Sequence, residues 1–331
     1  MSVRFVTQTS LAIALGALVC ATASYADNSY QPYYLQDRDN YQFAHVAPIL
    51  SDDPAMSAPI TPNPAANDGM VPEKPSVNNA PSLALGTRSG IDGGIQGSYY
   101  SYNEAAPDVK LKGEEVGVTA DATVVFANHM FDTADVRFAY GRADYSSHTG
   151  TSKNHENTIA EVRDIVGQDF IYNNYVLSPY IGVGFRDLYS DDRGITTLGF
   201  AGYRRESQYL YIPIGVKPEI RIDHSDRLDF DLEYDYLAQG WQTSHLGDTG
   251  NGDPTIHNSQ SNGIGFRGDA MWTTGTWAFG PFVNYWNVNN STGKIFHSPG
   301  SSCGGPTCVG TEPHNMTIEG GLQLQYHFLN F

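Results

Sequence analysis

Past the first twenty residues the chain has no apolar run near the ~20 residues that a membrane-crossing helix needs. With a mean hydropathy of -0.36, a multi-span helical membrane protein is excluded. Basic residues are also scarce: 19 Lys and Arg stand against 36 Asp and Glu, a net charge of -17. So acidic a chain repels a phosphate backbone, which rules out nucleic acid as a partner. Cysteine is rarer still, at three.

What is present begins with an export signal. Arg4 is the only charge among residues 1–26, and Leu11 to Val19 forms a short apolar stretch before Ser24-Tyr25-Ala26. A basic start, a brief apolar core and small residues at the end predict cleavage after Ala26. Acylation of Cys20 is the weaker alternative, because Val19 is a poor fit to the small residue expected before a lipidated cysteine. The apolar stretch is too short for a membrane anchor. Cys303 and Cys308 then remain in the mature chain, five positions apart. An oxidising compartment favours a disulfide between them over a metal site, for which only His297 and His314 are near.

Composition divides the mature chain. Residues 27–88 hold nine of the 18 prolines and only two glycines, Gly69 and Gly86. Prolines at such intervals forbid both helix and sheet ladder, so this part is expected to be a disordered periplasmic tether. Tyr30, Tyr33, Tyr34, Tyr41 and Phe43 near its start read as a sticky tail, with docking on a barrel or cell wall as the alternative.

Residues 89–331 alternate. In Arg227 to Tyr236 every even position is apolar or aromatic and every odd one is charged. That is a period of two held for about the ten residues that cross a bilayer at a barrel tilt. Similar runs lie around Val116–Phe126, Val136–Tyr140, Ile181–Phe185, Leu210–Ile222, Ile264–Trp272, Trp277–Tyr285 and Leu322–Phe328. Weaker ones near 91–102 and 159–170 bring the count to ten candidate strands. Short connections near 127–132, 172–176, 224–226 and 273–276 alternate with longer polar ones near 103–109, 146–158, 187–206, 243–260 and 289–314. The expected fold is all-β: a transmembrane antiparallel up-and-down barrel with both termini on the short-turn side. Tyr99, Tyr140, Tyr236, Trp272, Trp277, Tyr285, Tyr326 and Phe328 fall towards strand ends, as aromatic girdles do.

With its signal peptide, alternating strands, unequal loops and aromatic end (Tyr326-His327-Phe328-Leu329-Asn330-Phe331), the chain resembles the small bacterial outer-membrane β-barrels, the OmpA-like and opacity-type surface proteins. The resemblance is one of architecture and covers residues 89–331. It implies outer-membrane lipid as surroundings, and a C-terminal aromatic strand read by the barrel-assembly machinery. Phe331, however, is out of phase with Leu322 to Phe328, so a bulge near Leu329 or departure of the last residues is expected. A soluble periplasmic sandwich is the runner-up fold.

Inward positions carry the function. By phase they include Lys217, Glu219, Arg221, Asp223, Arg227, Asp229, Asp231, Glu233, Asp235, Arg267 and Asp269, read as a lumen charge network, with Asp121, Asp135, Arg137, Glu161, Arg163, Arg186 and Glu319 on other strands. Ten strands leave little more room than the eight whose interior side chains fill, so opposed charges should plug the lumen. Across the turn at His224-Ser225-Asp226 a tight register would set Arg221 against Asp229 and Lys217 against Glu233, leaving Glu219 against Asp231.

A catalytic alternative resembles the omptin proteases, also ten-stranded, whose acid/base groups sit at the extracellular rim. Asp223-His224, Asp229, Asp231 and His129 all fall near short turns, at the wrong end. The Gly247–Asp253 loop is rich in oxygen atoms without calcium-loop spacing. The expectation is therefore a surface or structural barrel with no enzymatic site, no cofactor and no metal. Asp191-Asp192 and Arg204-Arg205-Glu206 are candidates to meet an unknown extracellular ligand at the loops. A narrow channel for small solutes is the alternative.

Overall fold

The computed structural model describes residues 84–104, 108–300 and 302–329. The expected signal peptide, residues 27–83 of the expected tether and Phe331 lie outside them. Ten strands build the barrel: β1 (Gly90–Glu104), β2 (Val109–Val125), β3 (Met130–Ser147), β4 (Gly150–Gln168), β5 (Tyr175–Asp191), β6 (Arg204–Arg221), β7 (Asp226–His245), β8 (Gly263–Thr274), β9 (Trp277–Val288) and β10 (Asn315–Leu329). Each pairs antiparallel with the next, and β10 pairs with β1, so the sheet closes. Closure leaves no edge of unpaired amides, the condition for a sheet to lie in lipid.

The period of two sorts side chains by face. On the outside, Val116, Val118, Ile181, Leu232, Leu322 and Phe279 are exposed. Inside, Arg137, Glu161, Arg163, Asp231, Glu233 and Glu319 are buried. This inverts the soluble pattern, and only an apolar solvent rewards it. Aromatic rings collect at the turn end, where Trp277 packs edge-on against Tyr326 and Tyr326 against Phe328, with centroids 4.7 and 4.9 Å apart. Tyr172 and Tyr175 stack at 4.4 Å at the same end.

Connections at the turn end span residues 126–129, 169–174, 222–225 and 275–276; at the loop end they span 105–108, 148–149, 192–203, 246–262 and 289–314. Two loops expected from the sequence are much shorter than thought. The 103–109 connection shrinks because β1 runs to Glu104 and β2 starts at Val109, and β3 and β4 continue through most of 146–158 to a two-residue tip. Above the apolar band the outward face turns polar, as at Lys110 and Lys112, while Val109 and Leu111 pack inward and the hydrogen-bond ladder continues. Three short strands extend the loop end: Thr255–Gln260 pairs with the top of β7, and Lys294–His297 pairs with Thr307–Gly310.

The β6–β7 register differs from the expected one by two residues. Glu219 lies opposite Asp229, Ile220 opposite Leu228 and Arg221 opposite Arg227. Asp223, expected in the lumen, sits in the turn. Its Oδ1 accepts from the amides of Ser225 and Asp226 at 2.8 and 2.9 Å, and from the Ser225 hydroxyl at 3.1 Å. This side-chain capture closes the hairpin at Ile222, whose amide donates to the Asp226 carbonyl. A shift of two keeps every other side chain on its expected face. The phase problem at the C-terminal strand is met by a bulge: Ile91 pairs with Leu329 and Asp92 with His327, leaving Phe328 unpaired.

Candidate functional site

Buried side chains line the inside of the barrel. Towards the loop end lie Tyr100, Tyr102, Leu111, Ile159 and Leu188 in one cluster, with Tyr209, Tyr211, Leu237, Trp286 and Val288 in another. Inward glycines make room for these rings. A Cβ on Gly184 would stand 2.2 Å from the Tyr211 ring, and one on Gly215 would stand 2.3 Å from that of Tyr180. Arg186 is buried with its guanidinium 5.8 Å from the centre of the Tyr209 ring and 5.9 Å from that of Trp286, where a cation meets a π face.

Below them the charges meet. Arg163 on β4 donates from Nε to Asp135 at 3.0 Å and from Nη1 to both oxygens of Glu233 on β7, at 2.6 and 2.7 Å. Arg267 on β8 donates to the same Glu233 at 3.1 Å and to Glu161 at 2.8 Å. Arg137 on β3 pairs with Glu319 on β10 and approaches Glu161 to 3.9 Å. Hydroxyl and amide groups complete the shell. Tyr211 donates to Glu161 at 2.6 Å, Tyr180 to Asp231 and Glu233 at 2.6 and 2.7 Å, Ser98 to Glu319 at 2.9 Å, and Asn284 to Glu319 at 3.4 Å. Charges taken out of water are tolerable only when paired in this way. Nine of the ten strands contribute, so the network ties opposite walls together.

A second, smaller group lies nearer the turn end. Arg227 reaches Asp229 at 2.8 Å and Glu219 at 3.6 Å, and Thr273 donates to Asp229 at 2.6 Å. Between the two groups is a cavity of about 270 Å³, lined among others by Asp121, Lys217, Asp231, Asp269 and His327. Lys217 rests 5.3 Å from the Tyr180 ring centre. Residues 84–88, the end of the stretch assigned to the tether, lie against this mouth. Gly86 N donates to Glu219 at 2.8 Å, Thr87 donates to Asp169 from both N and Oγ1, and the Ala84 carbonyl accepts from Arg227 at 3.0 Å.

The eleven network residues singled out from the sequence thus divide. Glu233 and Arg267 join the central knot, Asp231 reaches it through Tyr180, and Glu219, Arg227 and Asp229 form the lower group. Lys217 and Asp269 line the cavity, Asp235 is buried beside Glu233 on β7, Arg221 ends β6, and Asp223 belongs to the turn. The centre of the knot comes from Arg137, Glu161, Arg163 and Glu319. Their inward phase was readable in the sequence; their partners across the barrel were not.

At the loop end, Cys303 and Cys308 form the expected disulfide, with a Cα–Cα distance of 5.8 Å, closing the tip of the Lys294–Gly310 hairpin. Gly300 to Gly304 spells Gly-x-Ser-x-Gly, but Ser302 lies in that tip bonded to Ser298, not at a strand-to-helix elbow. In the oxygen-rich Gly247–Asp253 loop, Asp248 is taken up by an ion pair. Arg204 Nε and Nη2 donate to Asp248 at 2.8 and 2.9 Å, and these bonds hold its carboxyl down at about 2. Among the described residues no cluster of three or more carboxylate, histidine or cysteine side chains is arranged for a metal ion. His327 Nδ1 lies 2.9 Å from Asp92 Oδ1 at the turn end.

A closed antiparallel barrel, apolar outside and ionic inside, is an outer-membrane β-barrel, and the outer membrane is where this protein resides. No family model matches the chain and no curated protein matches it. Among solved structures it is similar to the outer membrane protease OmpT from Escherichia coli, at 11% identity and a TM-score of 0.44, over 74% of this chain and 99% of that one. It is also similar to the transport unit of the autotransporter AIDA-I from Escherichia coli, at 10% identity and a TM-score of 0.38, over 77% and 94% of the two chains. A major outer membrane protein from Thermus thermophilus matches at 14% identity and a TM-score of 0.32, over 72% and 99%. These likenesses bring no activity to this chain; the class rests on the faces of its own barrel.

Proposed function

We propose that this is a non-conducting surface barrel of the outer membrane, without a catalytic site, whose loop end faces outward and carries its interactions. The observation that supports it most is the knot of Arg137, Arg163 and Arg267 with Asp135, Glu161, Glu233 and Glu319. Three guanidinium groups and four carboxylates bridge the lumen, and apolar rings pack above them. A hydrated ion finds no wide path through side chains so packed and paired. The Asp223-His224 pair that an omptin-like reading would use lies at the turn end, away from the outer rim, and Asp223 is taken up by its own turn.

Planar bilayer recording on the purified, folded protein tests this. The expected result is no steady current, with Arg163→Ala and Glu319→Ala each admitting small currents. Porin-sized steady currents from the unaltered protein would overturn it in favour of a solute channel.

A further inference from the structure

A chamber of about 420 Å³ lies at the loop end, above the aromatic packing. Its floor is a clamp around one guanidinium. Arg205 Nη2 donates to Glu104 Oε1 at 2.6 Å, and also to Glu312 Oε1. Tyr102 lies with its ring centre 5.2 Å from that guanidinium, and its hydroxyl is 2.9 Å from Glu104 and 3.1 Å from Glu312. One arginine therefore already answers two carboxylates.

Asp192 supplies a third. It follows β5 directly, lines the chamber and is only 7% exposed, yet its Oδ1 has no hydrogen-bond partner among the described residues. Its neighbour Asp191 is taken by Arg193, and Arg204 by Asp248. Burial pushes the Asp192 carboxyl up to about 6, against the pull of Arg205 and His155. Arg205 is shared with two other carboxylates, so a carboxylate buried here is stabilised by a further positive charge. Of the lining residues only Arg205 and His148 can be cationic, against Glu104, Glu312 and Asp192. The rest of the wall is mixed: Val109, Tyr145, Phe200, Leu246, Ile256 and Pro313 form an apolar side, and Ser152, Thr196, Ser244 and Asn258 add hydroxyl and amide groups. Pockets that combine apolar surface with a few placed polar groups take organic ligands; a bare metal ion would need ligands that do not converge here among the described residues.

We propose that this chamber binds a small organic cation, an ammonium group on an apolar body, with Asp192 as its counter-ion and the apolar side of the wall against the rest. The proposal gives a ligand class to the outward face on which the proposed function rests. The lumen can be closed while this chamber stays empty, so the bilayer recording and the binding test fail separately.

The test is calorimetric titration of the folded full chain in detergent with benzylamine, and with benzyl alcohol as its uncharged match. Saturable binding of benzylamine at least tenfold tighter than that of benzyl alcohol is expected, with loss of at least tenfold in Asp192→Asn. The comparison of the two probes on the unaltered protein needs no variant to fold. Equal binding of both probes, no binding of benzylamine, or undiminished binding by a folded Asp192→Asn would each overturn the proposal.

Discussion

Arg163 donates from a single nitrogen to both carboxylate oxygens of Glu233, at 2.6 and 2.7 Å, although β4 and β7 share no ladder. The contact crosses the lumen, and Glu233 has no exposed side-chain surface. Removing one partner leaves a buried charge uncompensated. Glu233→Gln should therefore lower stability by roughly 3–5 kcal/mol. Arg163→Met with Glu233→Leu should cost less than the sum of the two single changes. Urea unfolding in lipid vesicles, followed by tryptophan fluorescence, measures all three; strict additivity would count against a direct pair.

Residues 84–88 should be held at the turn-end mouth despite having no ladder. The amides of Gly86 and Thr87 donate to Glu219 and Asp169. Both should exchange slowly with solvent deuterium, and Asp169→Ala should speed the Thr87 amide about tenfold, the equivalent of roughly 1.4 kcal/mol. Fast exchange at both amides in the unaltered protein would contradict the contact.

Acid should release one loop before it harms the barrel. The bonds from Arg204 hold the Asp248 carboxyl at about 2 in the folded chain, below its ordinary 3.8. A depressed carboxyl contributes fully above the unfolded value and loses its contribution as the pH falls through the folded one. Protease cutting within 246–262 should thus rise as the pH drops from 4 to 2. In Asp248→Asn the loop should be cut readily across that range.

The turn chemistry of Asp223 is separable from its charge. Asp223→Asn keeps a side-chain oxygen for the Ser225 and Asp226 amides and should refold at nearly the normal rate. Asp223→Ala loses both bonds and should refold more slowly with a lower unfolding midpoint. Equal behaviour of the two variants would show that the turn does not depend on this capture.

The Cys303–Cys308 bridge closes a small ring, and its effect should remain local. A 15-residue loop is worth only about 3 kcal/mol in the entropic account, and this loop is shorter. Cys303→Ser should leave the barrel's unfolding midpoint unchanged while residues 298–307 become cleavable. Two free thiols in protein never exposed to reductant would refute the bridge.

Strand number, strand faces and the three longest loops were legible in the amino-acid order, because a period of two records which side of a sheet meets lipid. The same pattern located the inward charges, and it failed where its cause ends: above the lipid the outward face turns polar, as at Lys110 and Lys112, and the strands run on unseen as far as Glu104, Val109, Ser147 and Gly150. It also missed the β6–β7 register by two residues. A shift of two leaves every face unchanged, and only the Asp223 side chain, gripping its own turn, decides between the alternatives. Which charges meet was decided by tertiary structure alone. Arg163 and Glu233 stand 70 residues apart on strands that are not neighbours, and Arg137 and Glu319 are 182 apart. A side chain's face follows from local backbone geometry. Its partner across a lumen depends on barrel closure, strand tilt and the room left by inward glycines such as Gly184 and Gly215, and these exist only once all ten strands are in place.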